Sequence, residues 1–164
     1  MKNYILFLLT LFSVNAWSYP DIRIISGNND YLLVEEKALP IIDINLTINT
    51  GSREDGDIKG LTAFSFALLQ KQLIDGIRII DSFEDIGAEY SSSVNKETSE
   101  INVRFLSTED NIKKVSRLLN TILKHQNISE DIVDDLREKF IKSIKDRNSK
   151  PGSIISFEGD QIFF

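Results

Sequence analysis

The side chains that carry most enzyme chemistry are scarce in this chain. Among 164 residues there is no Cys and a single His, His125. Thiolate nucleophiles, disulfides, Fe–S clusters and Cys-based zinc sites are thereby excluded, and so is any site built from two imidazoles. His125 follows Lys124 at the end of a helical pattern, where a cation is favoured by the last carbonyls. That structural role is preferred to a metal or acid–base role. Glu54-Asp55-Gly56-Asp57 offers three carboxylates, but the spacing of a calcium-binding EF-hand is absent and a solvated loop is expected. Ser91-Ser92-Ser93 offers hydroxyls without a nearby base and without the strained Gly-x-Ser-x-Gly turn of a nucleophile elbow. It reads as strand. Asn45-Leu46-Thr47 and Asn127-Ile128-Ser129 are glycosylation sequons, which matter only in a eukaryotic secretory route.

Composition narrows the classes further. Asp and Glu total 25 against 19 Lys and Arg, for a net charge of −6. A nucleic-acid binder needs a basic face to neutralise phosphates, so that class is disfavoured. A hydrophobic share of 41% with 27% charged residues is that of an ordinary folded domain. Residues 1–18 read as a signal peptide. Lys2 gives a positive start, residues 4–12 form a short apolar run, and Ala16 and Ser18 supply small residues for cleavage. Cutting after Ala16 or after Ser18 both fit, with Ser18 preferred. The run is too short for a comfortable membrane span, and no second one is long enough. A periplasmic or secreted product is expected, with residues 19–164 forming one domain, or part of a larger one, that is incomplete at its C-terminal end.

The elements that would position a site read as strands first, then helices around a further strand pair. Residues 21–25 and 31–35 flank Gly27-Asn28-Asn29-Asp30, a hairpin signal. Ile42, Ile44, Leu46 and Ile48 alternate with Asp43, Asn45, Thr47 and Asn49, which predicts a strand with one buried face. After a polar loop over residues 51–57, residues 58–71 predict a helix that is apolar nearly all round. Leu61, Phe64, Leu68 and Leu69 lie on one side and Ala63, Phe66 and Ala67 on another, so the helix should be buried. Residues 77–86 predict a short helix closed by Gly87. Residues 88–94 and 98–106 predict a second strand pair, with Ile101, Val103 and Phe105 on one face. Two longer helices follow, over residues 108–125 and 130–148. Ile112, Val115, Leu119 and Ile122 form the stripe of the first, and Val133, Leu136, Phe140 and Ile144 that of the second. Pro151 opens another helical pattern that reaches Phe163-Phe164 with no polar closing turn. The expected class is α+β, an antiparallel-rich sheet with helices packed on it.

Gly51-Ser52, the acidic loop, Gly60-Leu61 opening a helix, Gly87-Ala88 entering a strand and Asp146…Pro151-Gly152 occur in that order. Together they resemble the N-terminal domain of the pitrilysin/insulinase (inverzincin) peptidases, from about Ile22 to the end. Each motif is common alone, and the joint order carries the likeness. In that family the first long helix carries H-x-x-E-H. Residues four apart share a helix face, so two imidazoles meet one zinc, and the intervening Glu serves the bound water as general base. A later Glu completes the metal shell. Here the five positions hold Ala63, Phe64, Ser65, Phe66 and Ala67, and the later Glu corresponds to Ser143. Neither zinc ligands nor base remain, and no single reversion restores them.

The resemblance thus implies a catalytically inactive member that needs no zinc. Its expected role is the non-catalytic partner subunit that helps form the substrate chamber of an active homologue. In the family, substrate peptide adds as a strand beside the residues after Gly-Ala, which here are Tyr90, Ser91 and Ser92. Edge pairing uses backbone groups and survives loss of the metal. A strand with a solvated polar face explains those three residues without any ligand. Three other readings stand beside this one: an active metallopeptidase with atypical ligands, a stand-alone peptide-binding module, and a truncated remnant.

Overall fold

The computed structural model describes residues 21–27, 30–124 and 128–149. The expected signal peptide, the hairpin tip at Asn28-Asn29, His125, Asn127 and the Pro151-Gly152 turn lie outside them. The chain divides into two units, Met1–Pro40 and Ile41–Phe164. In the first, β1 (Asp21–Ile25) pairs antiparallel with β2 (Tyr31–Glu35), in a register that sets Ile22 against Val34 and Ile24 against Leu32. Arg23 bridges Asp21 and Glu35 at 3.2 and 2.7 Å.

The second unit is built on a three-stranded antiparallel sheet in the order β3-β7-β6, with β3 at Ile41–Ile48, β6 at Glu89–Val94 and β7 at Ser99–Leu106. The period of two decides its faces. Ile101, Val103 and Phe105 of the central strand point inward and are buried, and Ile42, Ile44 and Leu46 pack beside them. The opposite face is polar, with rows Asp43–Arg104–Glu89, Asn45–Asn102–Ser91 and Thr47–Glu100–Ser93 running across the three strands.

Helices cover the apolar face. α1 (Leu61–Leu69) is followed by a small hairpin, β4 (Leu73–Ile74) and β5 (Ile77–Arg78), and then by α2 (Ile79–Glu84). α3 (Glu109–Lys124) and α4 (Glu130–Asn148) complete the unit. Ile79 and Phe83 of α2, together with Val115, Leu118 and Ile122 of α3, join Ala88 and the β7 residues in one core. Gln72 is buried there because its amide donates to the Ile122 carbonyl at 3.1 Å, which satisfies a polar group that would otherwise destabilise the core.

The architecture is the expected α+β one, with local corrections. The helix expected over residues 77–86 is shorter, because Ile77 and Arg78 pair with Leu73 and Ile74 across a turn at Asp75-Gly76. An Asp-Gly pair between apolar residues is a hairpin signal in its own right. α1 is not buried as its composition predicts: none of its residues is fully covered, and Leu61 is 46% exposed. Only part of its circumference meets the core and α4. The stripes of the long helices also shift. Leu118 rather than Ile112 reaches the core from α3, and Ile144 of α4 is exposed while Leu136 is buried.

Candidate functional site

A tightly built corner sets the position of α1. The backbone of residues 51–53 docks on the turn between β6 and β7, with the Ser52 and Arg53 amides donating to the Asn95 and Lys96 carbonyls at 2.9 and 3.0 Å. Gly51 is extended (φ −133°), so its backbone angles would suit any residue. The constraint is space, since an added Cβ would lie 2.6 Å from backbone atoms of Asn95, Lys96 and Glu97. Asn95 braces the turn from within, accepting the Glu97 and Thr98 amides on its side-chain oxygen at 2.8 Å each.

A short 3₁₀ turn, Ser52–Asp55, then delivers Asp55 to the start of α1. Its carboxylate accepts the Gly60 amide at 2.8 Å, the Thr62 amide at 2.9 Å and the Thr62 hydroxyl at 2.5 Å. Three donors on one carboxylate, those of Thr62 foremost, hold Asp55 below the usual carboxylate range. The loop was expected to be solvated, yet Asp55 is buried because the helix N-terminus leaves unpaired amides that need an acceptor. Gly60 makes the approach possible by adopting a left-handed conformation (φ +88°). No sequence pattern announced this cap, since the acceptor lies five and seven residues before its donors rather than at capping-box spacing.

The five positions matched to H-x-x-E-H lie on α1. Ala63, Phe64, Phe66 and Ala67 are half-buried and Ser65 is exposed. Phe66 packs against the core, and Phe64 sets its ring edge-on to Phe140 of α4, with centroids 5.2 Å apart. Ser143 lies one turn beyond Phe140, is exposed, and donates its hydroxyl to the Phe140 carbonyl at 2.8 Å. α1 and α4 are thus neighbours, but methyl groups and phenyl rings have no lone pair for a divalent cation, and the Ser143 hydroxyl is spent on its own helix. These residues do not fit a zinc ion.

Tyr90, Ser91 and Ser92 lie on β6, whose one partner among the described strands is β7. No other described strand pairs with its far side. Tyr90 and Ser92 face the helices, and Ser91 faces the polar side. The Tyr90 ring lies 5.2 Å from Phe83. Among the described residues its covered hydroxyl oxygen meets no partner at good hydrogen-bond geometry, although the Ser92 hydroxyl is close. Burial pushes the Tyr90 hydroxyl up, with the nearby Ser92 hydroxyl acting in the other direction. Gln70, at the end of α1, donates to the Ser92 hydroxyl at 2.6 Å and ties the helix to the edge strand. Sequence reasoning missed Gln70. A polar residue closing an apolar helix was its only signal. On the polar side, Asp43, Asn45, Glu89, Ser91, Asn102 and Arg104 line an open depression of about 580 Å³ beside the edge.

The same fold occurs in solved proteins. The inactive domain of a peptidase M16 from Pseudomonas fluorescens superposes with a TM-score of 0.77 at 22% identity, over 84% of this chain and 34% of that one. A protease from Helicobacter pylori gives 0.72 at 16% identity, again over 84% and 34%. At such identities the likeness is one of fold, and this chain spans about a third of the length of either solved chain. No protein-family profile and no curated protein matches the sequence.

Proposed function

We propose that this chain is a non-catalytic insulinase-type domain, related to the M16 peptidases, that contributes a wall of the substrate chamber to an active zinc peptidase homologue. One observation carries the reading. The chain takes the fold of a peptidase M16 inactive domain, and the helix face that would hold the metal in an active member presents Ala63, Phe66 and Ala67. In this reading Phe66 fills the volume that metal and water would occupy, and packing has replaced coordination. Extended peptide adds to the open edge at Tyr90–Ser92 through backbone hydrogen bonds, held level by the Gln70–Ser92 contact. Residues 1–18 direct the chain to the periplasm or outside the cell, and no described helix is long and apolar enough to cross a membrane.

The test is reconstitution. Mixed with an exported homologue that carries an intact H-x-x-E-H, the purified chain should co-elute with it and raise its peptide hydrolysis. Alone it should hydrolyse nothing. Peptide hydrolysis by the chain alone, abolished by a chelator, or one zinc ion per chain in elemental analysis, would overturn the reading.

A further inference from the structure

The charges beside the β6 edge are unequal, and one of them is uncommitted. Arg104 forms a two-pronged pair with Asp43, its Nε and Nη2 donating to the two carboxylate oxygens at 2.6 and 3.0 Å. That fork turns the Nε and Nη2 side of the guanidinium toward Asp43 and draws Asp43 below the ordinary carboxylate range. Glu89 stands directly across from Arg104 in the β6–β7 register and feels its charge, but makes no direct ion pair with it. The depression therefore carries two carboxylates against one guanidinium, and the carboxylate at the open edge belongs to Glu89. The other lining groups, Asn45, Asn102 and Ser91, are neutral, and the two Asn side chains are bonded to each other at 2.5 Å.

Resting on the proposed edge binding, we propose that β6 prefers peptides carrying Lys or Arg at the position level with Glu89. Residues directly opposite in paired strands project to the same face of the sheet, whichever way the added strand runs. The peptide residue level with Glu89 would therefore stand over the polar face, extending the row Asp43–Arg104–Glu89 by one member. A cation there completes an alternation of charge across four strands. An acid there meets Glu89 directly, while the one cation of the row, Arg104, lies a strand further in and is paired with Asp43. Residues on either side of that position point toward Tyr90 or away along the helix-covered face, so the charge preference should be confined to alternate positions.

Fluorescence anisotropy with labelled extended peptides tests this. The set carries Lys, Gln or Glu at each successive position in an otherwise neutral sequence, and a control set is N-methylated on alternate backbone amides. At one register position the Lys peptide should bind about two- to fivefold more tightly than the Gln peptide, the range expected of an exposed pair. The Glu peptide should bind more weakly than either. Glu89→Gln should remove the preference and Glu89→Lys should invert it, with circular dichroism unchanged. N-methylation should abolish binding whatever the charge. If peptides bind and N-methylation blocks them, but Glu89→Lys leaves the order of affinities unaltered, the charge preference is wrong and edge binding stands. If no peptide binds, or N-methylation has no effect, edge binding fails and the preference falls with it.

Discussion

The corner at Gly51–Asp55 and the helix face at Ala63–Ala67 lie within one short stretch of chain, yet they differ in kind. The corner is exacting: a backbone approach that leaves no room for a Cβ, and one carboxylate holding three donors. The helix face it positions is chemically blank and only half covered. The geometry that aims a helix and the donors that would make the helix useful are separate properties of a sequence. The first is set by backbone contacts between loop, turn and helix. The second resides in a few side chains whose replacement leaves those contacts in place.

Substitutions at the two regions should therefore have unequal costs. Gly51→Val should be the most damaging, since the backbone of residues 95–97 cannot yield as a flexible side chain would. We expect a loss of about 3 kcal/mol, at the upper end of overpacking costs, in urea unfolding. A loss below 1 kcal/mol would show that the corner is softer than its distances imply. Phe66→Ala should come next, at about 2 kcal/mol, because a half-buried ring forfeits part of the 3–5 kcal/mol of a fully buried one.

Asp55→Asn sharpens the comparison through pH. The folded-state pKa lies below the ordinary value of 3.8, so the stabilisation is present above that value and is lost as pH falls through the folded-state pKa. Wild type should be the more stable at pH 7, and the gap should close below about pH 4 in parallel denaturation series. A gap independent of pH would assign the role of Asp55 to shape rather than charge. The smallest change in stability, within about 0.5 kcal/mol, is expected for Ala63→His/Ala67→His on the half-exposed face. Made in the Phe66→Ala background, where the ring no longer fills the volume of the metal, that double variant should gain zinc binding by calorimetry while each single His gains none, because two imidazoles four residues apart meet one ion. Failure of the double variant to bind would mean that the face has lost its geometry along with its donors.

Much of this was legible from the residues. Ile42, Ile44, Leu46 and Ile48 announce β3 by alternation, and Ile101, Val103 and Phe105 announce the central strand, because a sheet with one wet face imposes a period of two. That Ala63, Phe66 and Ala67 carry no metal-binding donor was equally plain, since this follows from the residue types alone. Asp55 was not legible. An acid among acids reads as solvated, and only the folded path brings the Gly60 and Thr62 amides to it. The burial of α1 was over-read for the converse reason: composition counts apolar side chains but not how many neighbours surround them. Gly51 was singled out as part of a motif, but the close backbone approach that explains it was not legible, and Gln70 was hidden because it acts on a strand twenty-two residues away.

The turn that receives Gly51 also works as a ruler. Val94 pairs with Ser99, and the four residues between them are fastened by Asn95 inside and by residues 51–53 outside. A one-residue slip of β6 along β7 would send Tyr90 to solvent and Ser91 into the apolar layer, so a residue added there must be taken up within the turn, at the expense of the contacts that Asn95 and residues 51–53 make. Point changes along the polar side of β6 are cheap by comparison. A scan of loop length at residues 95–98 should therefore lower stability more than point changes on the polar side of β6 do.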